Sequence, residues 1–206
     1  MSVISPELAL RSELRAAHAE LTVRGLASAA KFISELLYNS ESTGDEDECD
    51  ELTDYSQENV YADIPSTKEL HKVMFGSSLI SSGEYQRCAY LLKSKTTGDV
   101  KSNLGNFLAA YALYMAGEKI KDQTANEDQT GGKTRNPFLG DLYIDLYPRH
   151  SAGTMDGHLL YIFAVVVRDL KQQGYSVQAL GGSTDISSLS VRELFMQSLA
   201  KFPWNW

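Results

Sequence analysis

Phe75-Gly-Ser-Ser-Leu-Ile-Ser-Ser-Gly-Glu84 and Ala109-Ala-Tyr-Ala-Leu-Tyr-Met-Ala-Gly-Glu118 decide the fold. Both segments close on Gly-Glu, and Gly83 and Gly117 stand 34 residues apart. At that offset Phe75-Gly76 aligns with Ala109-Ala110 and Leu79 with Leu113. Each copy reads as an apolar residue, a small residue, then a large apolar residue and a glycine turn. Small residues at Gly76, Ala110 and Ala164 allow the two helices of a pair to approach closely. Cys88 and Val191 fill the facing position on the second helix. Leu92 and Phe195 are the larger residues that lock one pair onto the next, and Pro203 ends the last helix. The competing reading is a non-repetitive helical bundle in which two glycine turns coincide by chance.

A helix–turn–helix period of 34 residues is that of the tetratricopeptide repeat. Working outward, Ser66-Thr-Lys-Glu69 has the spacing of a capping box and predicts a helix to about Ser82. Tyr85 to Lys95 follows as a second helix, broken at Gly98-Asp99. Asn103 to Ala116 is the third, stopping at Gly117-Glu118, and Lys119 to Arg135 reads as a polar insertion. Asn136-Pro137 starts a short helix with Leu139, Leu142 and Leu146 on one side. Asp156-Gly157 opens another to about Lys171. Its centre, Tyr161 to Val167, is rich in β-branched residues and fits a buried strand locally. The flanks give it helix length and no partner strand is near, so the reading is helix. A second polar insertion, Gln172 to Ser187, precedes Ser190-Val-Arg-Glu193 and a last helix to Phe202.

Upstream, Ser5-Pro6 is a helix start. Leu10, Leu14, Ala17 and Leu21 recur at helical spacing, and Leu26, Ala29, Ala30, Ile33, Leu36 and Leu37 do so after Gly25. The expected architecture is therefore all-α: a right-handed superhelix of antiparallel helix pairs. Residues 1–40 form a divergent N-terminal hairpin, 41–65 an acidic disordered loop, and 66–206 the repeats, with insertions at 119–135 and 172–187.

The chain has 206 residues, 43% of them hydrophobic, and a formal net charge of -8. Seven acids and no base lie between Glu41 and Glu51; without them 19 basic residues face 20 acidic ones. The body carries no strong field, which argues against nucleic acid as a partner. The longest apolar run, Leu159 to Val167, is far short of the ~20 residues that span a bilayer. Residues 1–15 mix acids and arginines without an apolar signal-peptide core. Cys49 and Cys88 form no disulfide framework, so a reduced intracellular setting is expected.

No catalytic, cofactor or metal constellation emerges. Gly132-Lys133-Thr134 lacks the glycine five residues earlier, where Glu127 stands, and the strand that a phosphate loop needs. His18, His71, His150 and His158 have no metal-ligand spacing. Cys88 reads as core, not nucleophile, and Asp141 and Asp145 fit helix-terminus electrostatics. The phase of the repeat instead places Val73, Ser77 and Ile80, then Phe107, Tyr111 and Tyr114, then Tyr161, Val165 and Arg168 along the concave face. Such an apolar, aromatic lining suits a protein partner. The lysines and asparagines of a carboxylate clamp are missing where Val73, Ser77 and Leu108 stand.

Glu84-Tyr-Gln-Arg-Cys-Ala-Tyr-Leu-Leu92, Tyr111-Ala-Leu-Tyr-Met-Ala-Gly-Glu-Lys-Ile-Lys-Asp122 and Asp156-Gly-His-Leu-Leu-Tyr-Ile-Phe-Ala-Val-Val-Val-Arg168 occur in one order. Together they resemble the N-terminal region of the anaphase-promoting complex subunit 8 family, the cell-division-cycle 23 homologues. Thr22 to Lys31 with Phe32 and Leu36 is similar but looser. The resemblance implies a non-catalytic tetratricopeptide scaffold of a ubiquitin ligase of the cell cycle, in the nucleus and cytoplasm. It further implies homodimerisation through the N-terminal repeats and contacts with other subunits of the complex. The chain ends at Phe202-Pro-Trp-Asn-Trp206, where a following repeat is expected to begin, so it reads as an N-terminal fragment. The alternative is a monomeric adaptor that binds a peptide in its groove for another complex.

Overall fold

The structure is a computed structural model that describes residues 6–40, 64–93, 100–127, 135–174 and 186–202. Eight α-helices and one short 3₁₀ turn make up the described elements, with no strand among them. They are α1 (Pro6–Val23), α2 (Ala27–Ser40), α3 (Thr67–Ser81), α4 (Tyr85–Leu92), α5 (Asn103–Glu127), α6 (Leu139–Ser151), α7 (Gly157–Gln172) and α8 (Val191–Lys201), with the 3₁₀ turn at Ile186–Ser188. The all-α, tetratricopeptide-like reading of paired helices therefore holds. The acidic run, Gly132-Lys133-Thr134, Pro203 and the two tryptophans lie outside the described residues.

The chain divides into two compact units, residues 1–108 and 109–206, with the division inside α5. In the first unit α3 is the central helix, packed against α2 and α4. Its Ser66 Oγ accepts from the Glu69 N–H at 3.2 Å. The expected reciprocal bond is diverted: the Glu69 carboxylate accepts from the N–H groups of Lys101 and Ser102 at 2.9 and 2.8 Å. The glutamate thus serves the backbone that enters α5. Gly83 makes the predicted turn with φ +73°, and Glu84 N–H donates to the Leu79 carbonyl at 2.9 Å. Gly76 faces Leu92, whose methyls lie 3.1 Å from where a Cβ would stand. Leu92 thus packs within its own helix pair. Ile64, expected in the acidic loop, is already part of the core.

The second unit is built on α7, against which α6 and α8 pack. Asp156 Oδ1 caps α7 by accepting from Leu159 N–H at 2.8 Å, and Ile162 to Val167 are all buried. Burial on every side explains the run of β-branched residues: it reflects a central helix and not a strand. Ser190 Oγ caps α8 in the same way, and Ser198 Oγ donates to the Gly157 carbonyl at 2.8 Å.

Two sequence expectations fail at α5. Gly117 ends no helix, because α5 runs on to Glu127 through half of the supposed insertion at 119–135. Glycine stands there for space: the Asn136 side-chain amide occupies the place a Cβ would take. Asn136 Nδ2 donates to the Tyr114 carbonyl and to Glu118 Oε1, both at 3.0 Å, while its Oδ1 accepts from Phe138 N–H at 3.0 Å. The match of Gly117 to Gly83 was thus a coincidence of spacing, with a turn at one glycine and a side-chain contact at the other.

Candidate protein-interaction site

Burial separates the residues that the repeat phase placed on one face. In the first unit Val73 is 0% exposed and belongs to the core of α3; Ile80 and Phe107 are half-buried. Val73 cannot line an open groove, because that face of α3 is closed by its own unit. Cys88 is fully buried as expected, and its Sγ donates to the Gly76 carbonyl at 3.3 Å. Burial pushes its thiol pKa up to about 12, which leaves it protonated and inert.

The surface that sequence reasoning missed lies on the N-terminal helix pair. Of the apolar residues placed at helical spacing there, Ala30 and Leu37 are buried, whereas Leu10, Leu26 and Leu36 are exposed. Phe32 is 61% exposed. Ala29, Phe32 and Leu36 share one side of α2, Leu26 immediately precedes that helix, and all four are exposed. The inward positions of α1 are polar: Arg15 and His18 are buried, and both bond to α3. The sequence signal was present, since the α1–α2 segment carries more apolar positions than one helix face needs. What it lacked was a sign of which apolar residues turn inward. Exposed large apolar side chains gathered on one side make this the candidate interaction surface of the first unit.

The N-terminal pair is tied to the next pair by charge. Lys31 bonds to Glu84, and Arg87 reaches Glu35 at 2.6 Å and Glu84 at 3.2 Å. The Arg87 guanidinium also lies over Phe75, 5.3 Å from the ring centroid. Its bonds to Glu84 raise its pKa, and Lys31 in turn lowers that of Glu84.

The second unit holds another candidate surface, built on α5 and α7. Asp169 is buried and bridges the two elements: Tyr114 Oη donates to Oδ2 at 2.8 Å, and Arg168 Nε donates to Oδ1 at 2.7 Å. Burial, reinforced by Asp169, raises the Tyr114 pKa and keeps the phenol a donor. The Asp169 hydrogen bond raises that of Arg168. Tyr161 is 49% exposed and meets Phe195 edge-on, with ring centroids 5.8 Å apart. Phe195 is half-buried and packs on α7 of its own pair. Val165 is buried and contributes to the core, not to this surface, while Tyr111 is half-buried on α5. Ala110 and Ala164 are buried where small residues were expected. An exposed aromatic beside an anchored arginine suits recognition of polypeptide.

The model of one protein family, described as "Anaphase promoting complex subunit 8 / Cdc23", matches residues 9–206. The chain is 31% identical over 136 residues to "Anaphase-promoting complex subunit 8" of Arabidopsis thaliana, covering 65% of this chain and 20% of that protein. It is 35% identical over 91 residues to "Cell division cycle protein 23 homolog" of Homo sapiens, covering 42% of this chain and 14% of that protein. The Bos taurus protein of the same name matches with the same figures. The chain thus spans a fifth or less of the length of these relatives.

Proposed function

The chain belongs to the anaphase promoting complex subunit 8 / Cdc23 family, and from that membership we propose that it is a non-catalytic scaffold segment which pairs with a second copy through its N-terminal helices. The rest of the reading follows the family. The segment works within a ubiquitin ligase of the cell cycle, in nucleus and cytoplasm, and its further surfaces meet other subunits of the assembly. Its partners are polypeptides, and neither nucleic acid, nor membrane, nor a small-molecule substrate is assigned to it.

One observation carries the proposal: the solvent-facing line of Ala29, Phe32 and Leu36 on α2, with Leu26 just before that helix and Leu10 exposed on α1. Leaving such side chains in water forgoes roughly 1.5–3 kcal/mol for each large one that a partner would bury. The Tyr161–Phe195 surface, with Arg168 beside it, is assigned to a neighbouring subunit. Sedimentation velocity tests the pairing. The unmodified chain, of 22.8 kDa, is expected to sediment as a dimer without added ligand. Phe32→Glu and Leu36→Glu are expected to sediment as monomers with unchanged circular dichroism. A monomeric wild type would favour the adaptor reading, and dimeric charge variants would move the interface elsewhere.

A further inference from the structure

The last turns of α7 carry a guanidinium that the chain uses on one side only. Arg168 Nε donates to Asp169 Oδ1 at 2.7 Å, and Tyr114 Oη of α5 donates to Asp169 Oδ2 at 2.8 Å. Both carboxylate oxygens are thereby engaged, and the Asp169 side chain is 11% exposed against 44% for Arg168. Among the described residues the guanidinium bonds to Asp169 alone, which leaves the N–H donors of both Nη groups unused by the chain. Because Asp169 is buried and tied to α5, the arginine is oriented before anything binds, so ordering it adds little to the cost of association.

The free cation is single. Lys121 of α5 is paired with Glu118. Lys171, one turn beyond Arg168, donates to the carbonyls of Ser187 and Leu189 at 3.3 and 2.6 Å. Glu118 is itself shared between Lys121 and Asn136. One open guanidinium edge fits the paired oxygens of a carboxylate, whereas a phosphate dianion would call for a second free cation. Tyr161 stands two turns before Arg168 on the same side of α7, about 10 Å away along the axis at ~1.5 Å per residue. It is half-exposed and meets Phe195 edge-on, and Val165 between the two is apolar and buried.

We infer that this stripe receives an acidic polypeptide segment, with a carboxylate on the Nη edge of Arg168 and an apolar side chain on Tyr161 and Phe195. The inference rests on the assignment of this surface to a neighbouring polypeptide and adds the chemistry of the contact. A segment in the polyproline II conformation sets residues i and i+3 on one side, about 9 Å apart at ~3.1 Å per residue, close to the spacing of the two anchors. An ion pair on a half-exposed arginine changes affinity by only about fivefold. Arg168 therefore supplies selectivity, and the aromatic pair supplies the larger share of the binding.

Surface plasmon resonance on the immobilised 206-residue chain tests this with acetyl-Leu-Pro-Pro-Glu-amide, acetyl-Glu-Pro-Pro-Leu-amide and their glutamine counterparts. At low salt at least one glutamate peptide is expected to bind about fivefold more tightly than its glutamine counterpart, and the ratio is expected to shrink at high salt. Arg168→Gln is expected to bring the ratio to about one. Arg168→Lys, which keeps the charge and loses the fork, is expected to lower it part-way. Tyr161→Ala is expected to weaken glutamate and glutamine peptides alike. An undiminished ratio in Arg168→Gln would overturn the inference. Equal binding of glutamate and glutamine peptides, lost together in Tyr161→Ala, would overturn the acidic assignment and leave the polypeptide surface standing; no binding at all would overturn both. Sedimentation judges the α2 pairing separately, and Arg168→Gln is expected to leave it unchanged. A monomeric Arg168→Gln beside a dimeric wild type would hand this surface to the second copy and sink the acidic assignment.

Discussion

At the scale of single residues, two glycines that look equivalent in the sequence do different work. Gly83 adopts φ +73° in open space, so Gly83→Ala is expected to cost about 1–2 kcal/mol through backbone strain alone. Gly83→Asn, which tolerates that conformation, is expected to cost less. Gly117 has helical backbone but no room, since Asn136 fills the position of a Cβ. Gly117→Ala is expected to cost about 1–3 kcal/mol by displacing Asn136, and there Asn is expected to be worse than Ala. Thermal unfolding of the four variants checks this contrast. Cys88 makes a third test. With its thiol pKa pushed up to about 12 by burial, it is expected to resist alkylation at pH 8 in the native chain and to react on unfolding, as read by mass-spectrometric mapping. The buried roles of Gly76, Cys88, Ala110 and Ala164 were legible because small and apolar residues at helical spacing leave few alternatives. The role of Gly117 was not, because Asn136 lies 19 residues away along the chain and only folding brings it there.

At the scale of elements, local contacts were legible and distant ones were not. Ser66, Asp156 and Ser190 all cap helices as their spacing implies, because each bond joins residues three apart. Asp156→Ala is expected to cost about 1 kcal/mol, with Asp156→Asn near neutral. Glu69 shows where such reasoning stops: its carboxylate serves Lys101 and Ser102 across more than thirty residues. Glu69→Ala would strip the acceptor from two N–H groups, one of them on buried Ser102, at a cost of about 1–3 kcal/mol. Glu69→Gln, which keeps one acceptor oxygen, is expected to recover part of that; chemical denaturation measures both. The length of α5 escaped the sequence for an energetic reason. One glycine penalises a helix by only about 1 kcal/mol, and the hydrogen bonds from Asn136 to Tyr114 and Glu118 on either side of Gly117 offset a term of that size.

At the scale of the whole molecule, the net charge of -8 resides almost entirely in the run from Glu41 to Glu51. The pairing surface proposed on α2 is apolar, so self-association through it is expected to change little between 50 and 500 mM salt, where screening becomes strong. A steep salt dependence in sedimentation equilibrium would transfer the interface from α2 to the charged groups. Composition and periodicity alone established an all-α chain of paired helices, the caps that begin them and the small residues between them. These depend on neighbours within one or two helical turns, and such contacts are written into residue order. Which apolar side chains stay wet was settled only in three dimensions. Val73 and Val165 are enclosed, while Phe32 and Leu36 are left bare and Arg15 and His18 take the inward places on α1. A helix carries a pattern of faces, but a face becomes interior or surface only when another element covers it, and residue order does not name that element.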